Sequence, residues 1–264
     1  MRRAERLVWM TKSLLDHPNQ PLSLSDLSVG LTAAKSSLSE DVAVVRQVLE
    51  AKQAGQVLSI PGAAGGVKYL AGISESERAG FIHRVRERLT DPARILPGGF
   101  LYMLDVLADP EILDYAGRLF AREFVEQGVH VVVTVETKGI PLAVATAHYL
   151  HVPVVVVRRE HRVTDGPVIS VHYVSGSTRR IQTMSLSKRA MPLHARALIV
   201  DDFMKAGATV KAVHGLLAEF SASVVGTAVF MATAVPAQKL VDTYDSLFRL
   251  GSVEEGQPIF ITSP

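Results

Sequence analysis

The sequence predicts an α/β protein: a small helical unit at the amino terminus, then a larger unit with a mainly parallel β-sheet flanked by helices. Residues 1–72 lack any long run of Val and Ile, and their apolar residues recur at helical spacing instead. Later segments carry strand-like apolar runs at 129–135, 152–157, 197–200 and 223–231. A chain of 264 residues has room for two cores. We therefore expect domains at 1–73 and 74–264.

Composition is typical of a folded globular protein, with 48% hydrophobic and 20% charged residues, which disfavours disorder. No apolar stretch approaches the roughly 20 residues needed to span a bilayer. Glu5, Arg6 and Lys12 interrupt any signal-peptide core, so we expect a cytoplasmic protein with no membrane partner. The chain has no cysteine, which excludes disulfides and thiolate metal sites. Its nine histidines show no zinc-like spacing, and we predict no protein-built metal site.

Apolar periodicity predicts three helices in the first unit. The first ends before Pro18, the second covers Leu22–Leu31, and the third begins with a capping-box pattern formed by Ser37 and Glu40. The apolar positions of the first and third helices are Leu7, Met10, Leu14, Leu15, Leu38, Val42, Val45 and Leu49.

Two strand-like segments, 56–60 and 67–70, follow the helices and predict a β-hairpin. Three helices and a hairpin are the order of a winged helix, which usually places its third helix in the DNA major groove and its hairpin near the phosphates. Candidate DNA contacts are basic or hydroxyl residues of this unit: Arg2, Arg3, Arg6, Lys12, Lys35, Ser36, Ser37, Arg46 and Lys68. A winged helix that packs against protein instead of binding DNA stays an equally open alternative, because residues 1–72 carry eight Lys and Arg against six Asp and Glu, a surplus of only two.

The most informative segment of the second unit is 197–209, an apolar strand that ends in Asp201 and Asp202 before a small-residue loop and a helical pattern. Ligands collect beyond the carboxyl ends of such strands, where free N–H groups at the helix start favour an anion. The aspartates can accept hydrogen bonds from vicinal sugar hydroxyls. The predicted phosphate contacts are Lys205, Ala206, Gly207, Ala208 and Thr209. A pair of solvated aspartates at a strand end is the alternative.

This segment resembles the phosphoribosyl diphosphate (PRPP) motif of type I phosphoribosyltransferases. A second strand, loop and helix at 129–150 matches the family's diphosphate-binding loop, which implies diphosphate contacts from Thr137, Lys138 and Gly139. The resemblance also directs Arg158 and Arg159 toward the diphosphate. One departure is Ala208, where relatives commonly have Gly, and a positive φ at this position would carry strain.

The segment 175–189 carries four bases and no acid, which predicts a mobile, anion-seeking loop. Lys188 is a candidate to close over the diphosphate, while Arg179, Arg180 and Arg189 suit either ligand or DNA. A solvated basic hairpin is the alternative.

Four runs, at 61–68, 95–99, 180–186 and 201–207, make nearly the whole chain similar to the purine operon repressors of Gram-positive bacteria. The resemblance implies a homodimer that binds double-stranded operator DNA and represses purine-synthesis operons. PRPP, with Mg2+ on its diphosphate, is the implied effector that relieves repression, and no transferase activity is expected. Two alternatives stay open: an active phosphoribosyltransferase acting on a purine base, and a protein-interaction module with a vestigial pocket.

Phe100 and Phe203 are candidates to stack on a base, with core packing as the alternative for each. If both side chains face the predicted PRPP site, a guanine nucleotide such as guanosine tetraphosphate is expected to compete with PRPP.

Overall fold

The computed structural model describes residues 1–62, 65–97, 100–160, 163–174, 180–251 and 258–263. Parts of the runs at 61–68 and 95–99 and of the basic segment at 175–189, Arg179 included, lie outside the described residues. The chain divides into two compact units: Met1–Ala79 with His148–His151, and Gly80–Ala147 with Val152–Pro264. The predicted boundary at 73/74 stays a prediction.

The first unit has the element order of a winged helix, as the sequence predicts. Its sheet has the order β1-β3-β2 and is antiparallel. The elements are α1 (Arg3–Asp16), β1 (Leu22–Ser23), α2 (Leu24–Leu31), α3 (Lys35–Ala51), β2 (Gly55–Ile60) and β3 (Gly66–Ala71). The four predicted apolar positions of α3, Leu38, Val42, Val45 and Leu49, are buried and pack with Met10 and Leu14 of α1, which forms the core of this unit.

The predicted capping box of Ser37 and Glu40 is wrong. Helix α3 already begins at Lys35, with Ala34 as an N-cap that makes no side-chain hydrogen bond. A reciprocal cap occurs instead before α4 (Glu75–Leu89), where the Ser74 hydroxyl accepts from the Glu77 N–H at 3.2 Å. The Glu77 carboxylate accepts in turn from the Ser74 N–H at 2.8 Å.

The second unit is built on a six-stranded sheet with the order β13-β12-β11-β10-β6-β7, in which every pair is parallel except β12–β13. Its elements after α4 are β4 (Ile95–Leu96), β5 (Phe100–Leu101), α5 (Pro110–Phe124), β6 (Val131–Val135), α6 (Gly139–Leu150), β7 (Val154–Val157), β8 (Val168–Val174), β9 (Ile181–Ser187), β10 (Arg196–Met204), α7 (Ala208–Ala218), β11 (Ser223–Thr233), β12 (Asp245–Leu250) and β13 (Ile261–Thr262). The predicted α/β class with a mainly parallel sheet is confirmed.

The centre of this sheet is buried on both faces, as is typical of parallel sheets covered by helices on both sides. All five residues of β6 are buried, and so are the first five residues of β10 after Arg196. Since β6 and β10 are parallel neighbours, the loops that follow them emerge at one sheet edge. Among the described residues, no helix combines the length and the apolar character needed to cross a membrane.

Candidate functional site

The paired aspartates lie inside β10 rather than after it, because pairing with β11 continues to Met204. Asp201 is buried at 7% exposure, and its carboxylate accepts the Asp202 N–H at 2.9 Å. Burial, together with the neighbouring charge of Asp202, raises the pKa of Asp201 well above its ordinary value. Asp202 is partly exposed and is therefore the more accessible of the two carboxylates.

The loop after β10 turns into α7 through a left-handed residue. Gly207 has φ 85° and ψ 11° and is the N-cap of α7. Ala208 is the first helical residue, so the strain considered for this position does not arise. The first N–H groups of α7, from Ala208 and Thr209 onward, lack intrahelical acceptors and can bind an anion.

The loop between β6 and α6 lies directly beside the aspartates. The Glu136–Thr137 peptide bond is cis, and Gly139 begins α6. A side-chain carbon at position 139 would lie 3.2 Å from a carboxylate oxygen of Asp201 and would collide with the Thr134 hydroxyl. The structure thus brings the two predicted anion loops together at one edge of the sheet.

Two residues near this edge were missed by sequence reasoning. Thr134 is fully buried, and its hydroxyl has no hydrogen-bond partner among the described residues. The Glu136 carboxylate accepts the Arg159 N–H at 2.7 Å and a guanidinium N–H of Arg158 at 3.5 Å. An acid at a strand end gave a weak signal for Glu136, whereas Thr134 looked like an ordinary strand residue.

The basic residues after β7 have different surroundings. Arg158 also pairs with Asp165 at 3.3 Å, so its charge is already engaged by two carboxylates. The Arg159 side chain is exposed, and its charge acts on Asp201, opposing the rise of that pKa. The structure therefore favours Arg159 over Arg158 as a ligand contact.

The remaining predicted ligand residues lie on other elements. Lys188 follows the β8–β9 hairpin and is exposed. Phe100, on β5, is 59% exposed, so core packing does not describe it. Phe203 is half-buried within β10.

In the winged helix, several predicted DNA contacts make hydrogen bonds within the protein. Arg6 and Arg3 pair with Asp41 of α3 at 2.9 and 3.1 Å, and Asp41 is fully buried. Arg46 donates to the Val57 carbonyl at 2.7 Å and to the Ser59 hydroxyl at 2.8 Å, which ties α3 to β2.

The other predicted DNA contacts are less constrained. Lys35 and Ser36 are exposed at the start of α3, Ser37 and Lys68 are partly exposed, and Arg2 is exposed. Lys12 is exposed and pairs with Asp16 at 2.6 Å. None of the nine DNA assignments is tested by these contacts, so they stay predictions.

A winged helix followed by a phosphoribosyltransferase-like unit places this chain in a class of transcription regulators that are built on an enzyme fold. Residues 2–71 match the family "Bacterial purine repressor, N-terminal", and residues 104–255 match "Phosphoribosyl transferase domain".

Two relatives are similar over almost the full length. The purine biosynthesis transcriptional repressor PurR of Bacillus subtilis (strain 168) is 47% identical over 96% of this chain and 88% of the relative. The purine biosynthesis transcriptional activator PurR of Lactococcus lactis subsp. lactis (strain IL1403) is 40% identical over 96% and 94%. The chain belongs to this family of purine biosynthesis transcriptional regulators.

The fold of the second unit also has a solved counterpart. An adenine phosphoribosyltransferase from Saccharomyces cerevisiae aligns with a TM-score of 0.50 and 21% identity, over 56% of this chain and 85% of that structure. This similarity concerns the fold alone.

Proposed function

We propose that the protein is a homodimer that binds the operator DNA of purine biosynthesis genes through its winged helix and represses them. PRPP binds in the second unit and relieves repression. The observation that carries this proposal is the meeting of two anion loops and a carboxylate pair at one sheet edge: Gly139 lies against Asp201, and Gly207 opens α7. Two phosphate-binding groups on either side of sugar-binding carboxylates match a sugar with a phosphate at each end.

Each part of the ligand has a proposed partner. The 5′-phosphate is held by the N–H groups of 205–209, and the ribose hydroxyls by Asp202 together with Asp201. The diphosphate is held by Thr137–Gly139, Arg159 and Lys188. Magnesium accompanies the diphosphate, because this hard cation is usually held through ligand phosphates and few protein oxygens. The partly exposed carboxylate of Asp202 is chemically suited to supply one such oxygen.

We propose further that the protein does not transfer the phosphoribosyl group. Transfer requires a base held in line with the reacting ribose carbon. Phe100 on β5 and Phe203 within β10 are candidates to stack on a base, but stacking alone neither selects a nucleobase nor aligns it with the ribose carbon. An active phosphoribosyltransferase acting on a purine base is the second candidate, favoured by the match of 104–255 to the transferase family. Release of diphosphate from PRPP in the presence of adenine, guanine, hypoxanthine or xanthine would establish it.

Guanosine tetraphosphate is a proposed competitor of PRPP, with Phe203 and Phe100 as stacking candidates for its base. Titration of the free protein with this nucleotide at fixed PRPP tests the idea. Unchanged PRPP affinity would discard it.

The coupling between ligand and DNA is expected to lie in the ordinary allosteric range, about 1–3 kcal/mol, or roughly 5- to 150-fold in operator affinity. Two routes are compatible with the site. PRPP can compete with DNA phosphates for the same cations, or it can change the spacing of two winged helices, which must match operator half-sites.

A gel-shift experiment on purine promoters, with and without PRPP, tests the proposal. Wild type should release DNA on addition of PRPP, whereas Asp202→Ala should bind DNA normally and ignore PRPP. Glu219→Ala is the matched control, because Glu219 is an exposed carboxylate at the end of α7 opposite to residues 205–209, which we call the phosphate loop. Retention of wild-type protein on DNA at saturating PRPP would refute the proposal.

The direction of regulation needs its own measurement, because one relative is named a repressor and the other an activator. We expect expression from a purine promoter to rise when the gene for this protein is deleted. A fall would assign activation instead.

A further inference from the structure

Residues 233–241, which begin with the last residue of β11, make hydrogen bonds to the backbone of the phosphate loop, and we call them the buttress segment. The ammonium group of Lys239 donates to the Lys205 carbonyl at 2.5 Å, the Thr233 carbonyl at 2.7 Å and the Thr233 hydroxyl at 3.2 Å. An ammonium group has three donors and no acceptor, so these three oxygens match its full capacity.

Further contacts join the buttress segment to the same loop. The Thr233 hydroxyl has one proton and two carbonyl acceptors within reach, that of Val235 at 2.7 Å and that of Lys205 at 3.2 Å. The Leu240 N–H donates to the Ala206 carbonyl at 2.8 Å. A side-chain carbon at Gly207 would lie 3.4 Å from a methyl group of Val241. The carbonyl groups of two successive loop residues are therefore held by one neighbouring segment.

Fixing these carbonyls also fixes the direction of the N–H groups that bind an anion. In a trans peptide unit the C=O and the following N–H lie in one plane and point in opposite directions. When the Lys205 carbonyl points to Lys239, the Ala206 N–H points away from the buttress segment. Likewise, the Ala206 carbonyl points to the Leu240 N–H, so the Gly207 N–H points away from the buttress segment. Both donors are thereby turned away from the buttress segment.

We propose that Lys239 is a positioning residue that holds the phosphate loop in its anion-binding conformation and so sets the affinity for the 5′-phosphate of the effector. The identity of the ligand rests on the proposed function, whereas the hold on the loop rests on contacts within the chain that do not involve the ligand. Burial, with a smaller contribution from the charge of Arg249, lowers the pKa of Lys239. The ammonium group thus occupies its position against a desolvation cost, which its three hydrogen bonds offset.

Amide hydrogen exchange of the free protein tests the hold on the loop without any ligand. In Lys239→Met, the amides of Leu240 and Lys211, which donate to the Ala206 and Gly207 carbonyls of the loop, should exchange faster than in wild type, while those of β6 should be unchanged. Lys52→Met is the matched control, because Lys52 is exposed and lies outside the site. Wild-type exchange of the Leu240 and Lys211 amides in Lys239→Met would overturn the inference.

Ligand binding tests the consequence. Loss of a hydrogen bond to a charged group should weaken PRPP binding about tenfold or more in Lys239→Met. Binding of inorganic diphosphate, which we assign to the loop at 137–139, should stay within about twofold. Equal losses for both ligands would indicate general damage to the unit and would overturn the positioning role.

A second variant reaches the same carbonyl by another route. Thr233→Val removes the hydroxyl that contacts Lys205 and should also weaken PRPP binding, with Thr227→Val in the same strand as its control. Because Lys239 and Thr233 hold one carbonyl, the double variant should lose less affinity than the sum of the single losses. Strict additivity would contradict a shared role. Failure of wild type to bind PRPP would refute the proposed function, and the exchange experiment would then decide the inference alone.

Discussion

Gly139→Ala should damage both the stability of the second unit and its ligand site. A carbon at this position would collide with the Thr134 hydroxyl and would lie 3.2 and 3.5 Å from the Asp201 carboxylate oxygen and Cα. Overpacking of a tight interior site typically costs about 1–3 kcal/mol. For a domain of this size, each kcal/mol lowers the melting temperature by about 2–4 °C, which gives a decrease of roughly 2–12 °C.

The ligand site should suffer in addition, because the backbone of 137–139 must move to make room for the methyl group. We expect PRPP affinity to fall by at least about tenfold, since small displacements of a binding loop cost several hydrogen bonds at once. Thermal unfolding and isothermal titration measure the two effects separately.

Two controls make this prediction specific. Gly215→Ala adds the same methyl group in the interior of α7, where no described atom beyond the adjoining helix backbone lies within 4 Å of the added carbon. It should stabilise the protein by roughly 0.5–1 kcal/mol because Ala is the better helix former. Thr134→Ala removes the hydroxyl that the new carbon would meet and should partly rescue Gly139→Ala. A Gly139→Ala protein with wild-type melting temperature and PRPP affinity would refute the reasoning.

Three further predictions concern single buried polar groups. Asp41→Ala removes the acceptor of Arg3 and Arg6 and should destabilise the winged helix by about 1.5–3 kcal/mol in urea unfolding; an unchanged midpoint would contradict this. Thr134→Val replaces a hydroxyl that has no hydrogen-bond partner in the described part of the chain by a methyl group and should raise stability by about 1 kcal/mol in the same assay, whereas a loss would show that the hydroxyl has a partner. The raised pKa of Asp201 means that the folded state keeps a proton that the unfolded state has released, so this contribution to stability is complete below about pH 4 and is lost as pH rises through the folded pKa. Asp201→Asn should flatten that part of the stability profile, and an equally steep profile would exclude Asp201 as its source.

Local patterns predicted the elements well where burial has a clear period. Leu38, Val42, Val45 and Leu49 are all buried on α3, as their spacing indicated. The cap of α3 was predicted wrongly, because Ser37 and Glu40 satisfy a local pattern while the N-cap lies three residues earlier, at Ala34. The first turn, from Lys35 to Ser37, is exposed or partly exposed and its N-cap makes no side-chain hydrogen bond, so neither burial nor capping marks this helix start in the sequence.

The candidate site likewise contains residues that local sequence predicts and residues that it does not. Strand, carboxylates, loop and helix are contiguous in sequence, so 197–209 could be predicted from its own residues. Lys239 and Thr134 could not, because their roles depend on partners that are distant along the chain or on the burial of one hydroxyl. Lys239 reaches back 34 residues to a backbone carbonyl, which carries no residue-specific signal.

The charges of the winged helix show why composition was a poor guide to its surface. Arg3, Arg6 and Arg46 count toward the basic surplus, yet each donates to a group of the protein itself. Asp41 counts as an acid in the third helix, yet it is fully buried and paired, so it does not repel a phosphate from the helix surface. The field that DNA would meet is therefore set by the exposed residues at the start of α3, where Lys35 lies, rather than by the net charge of residues 1–72. The net charge of residues 1–72 therefore does not decide nucleic-acid binding in either direction, because charges of both signs are paired inside the fold.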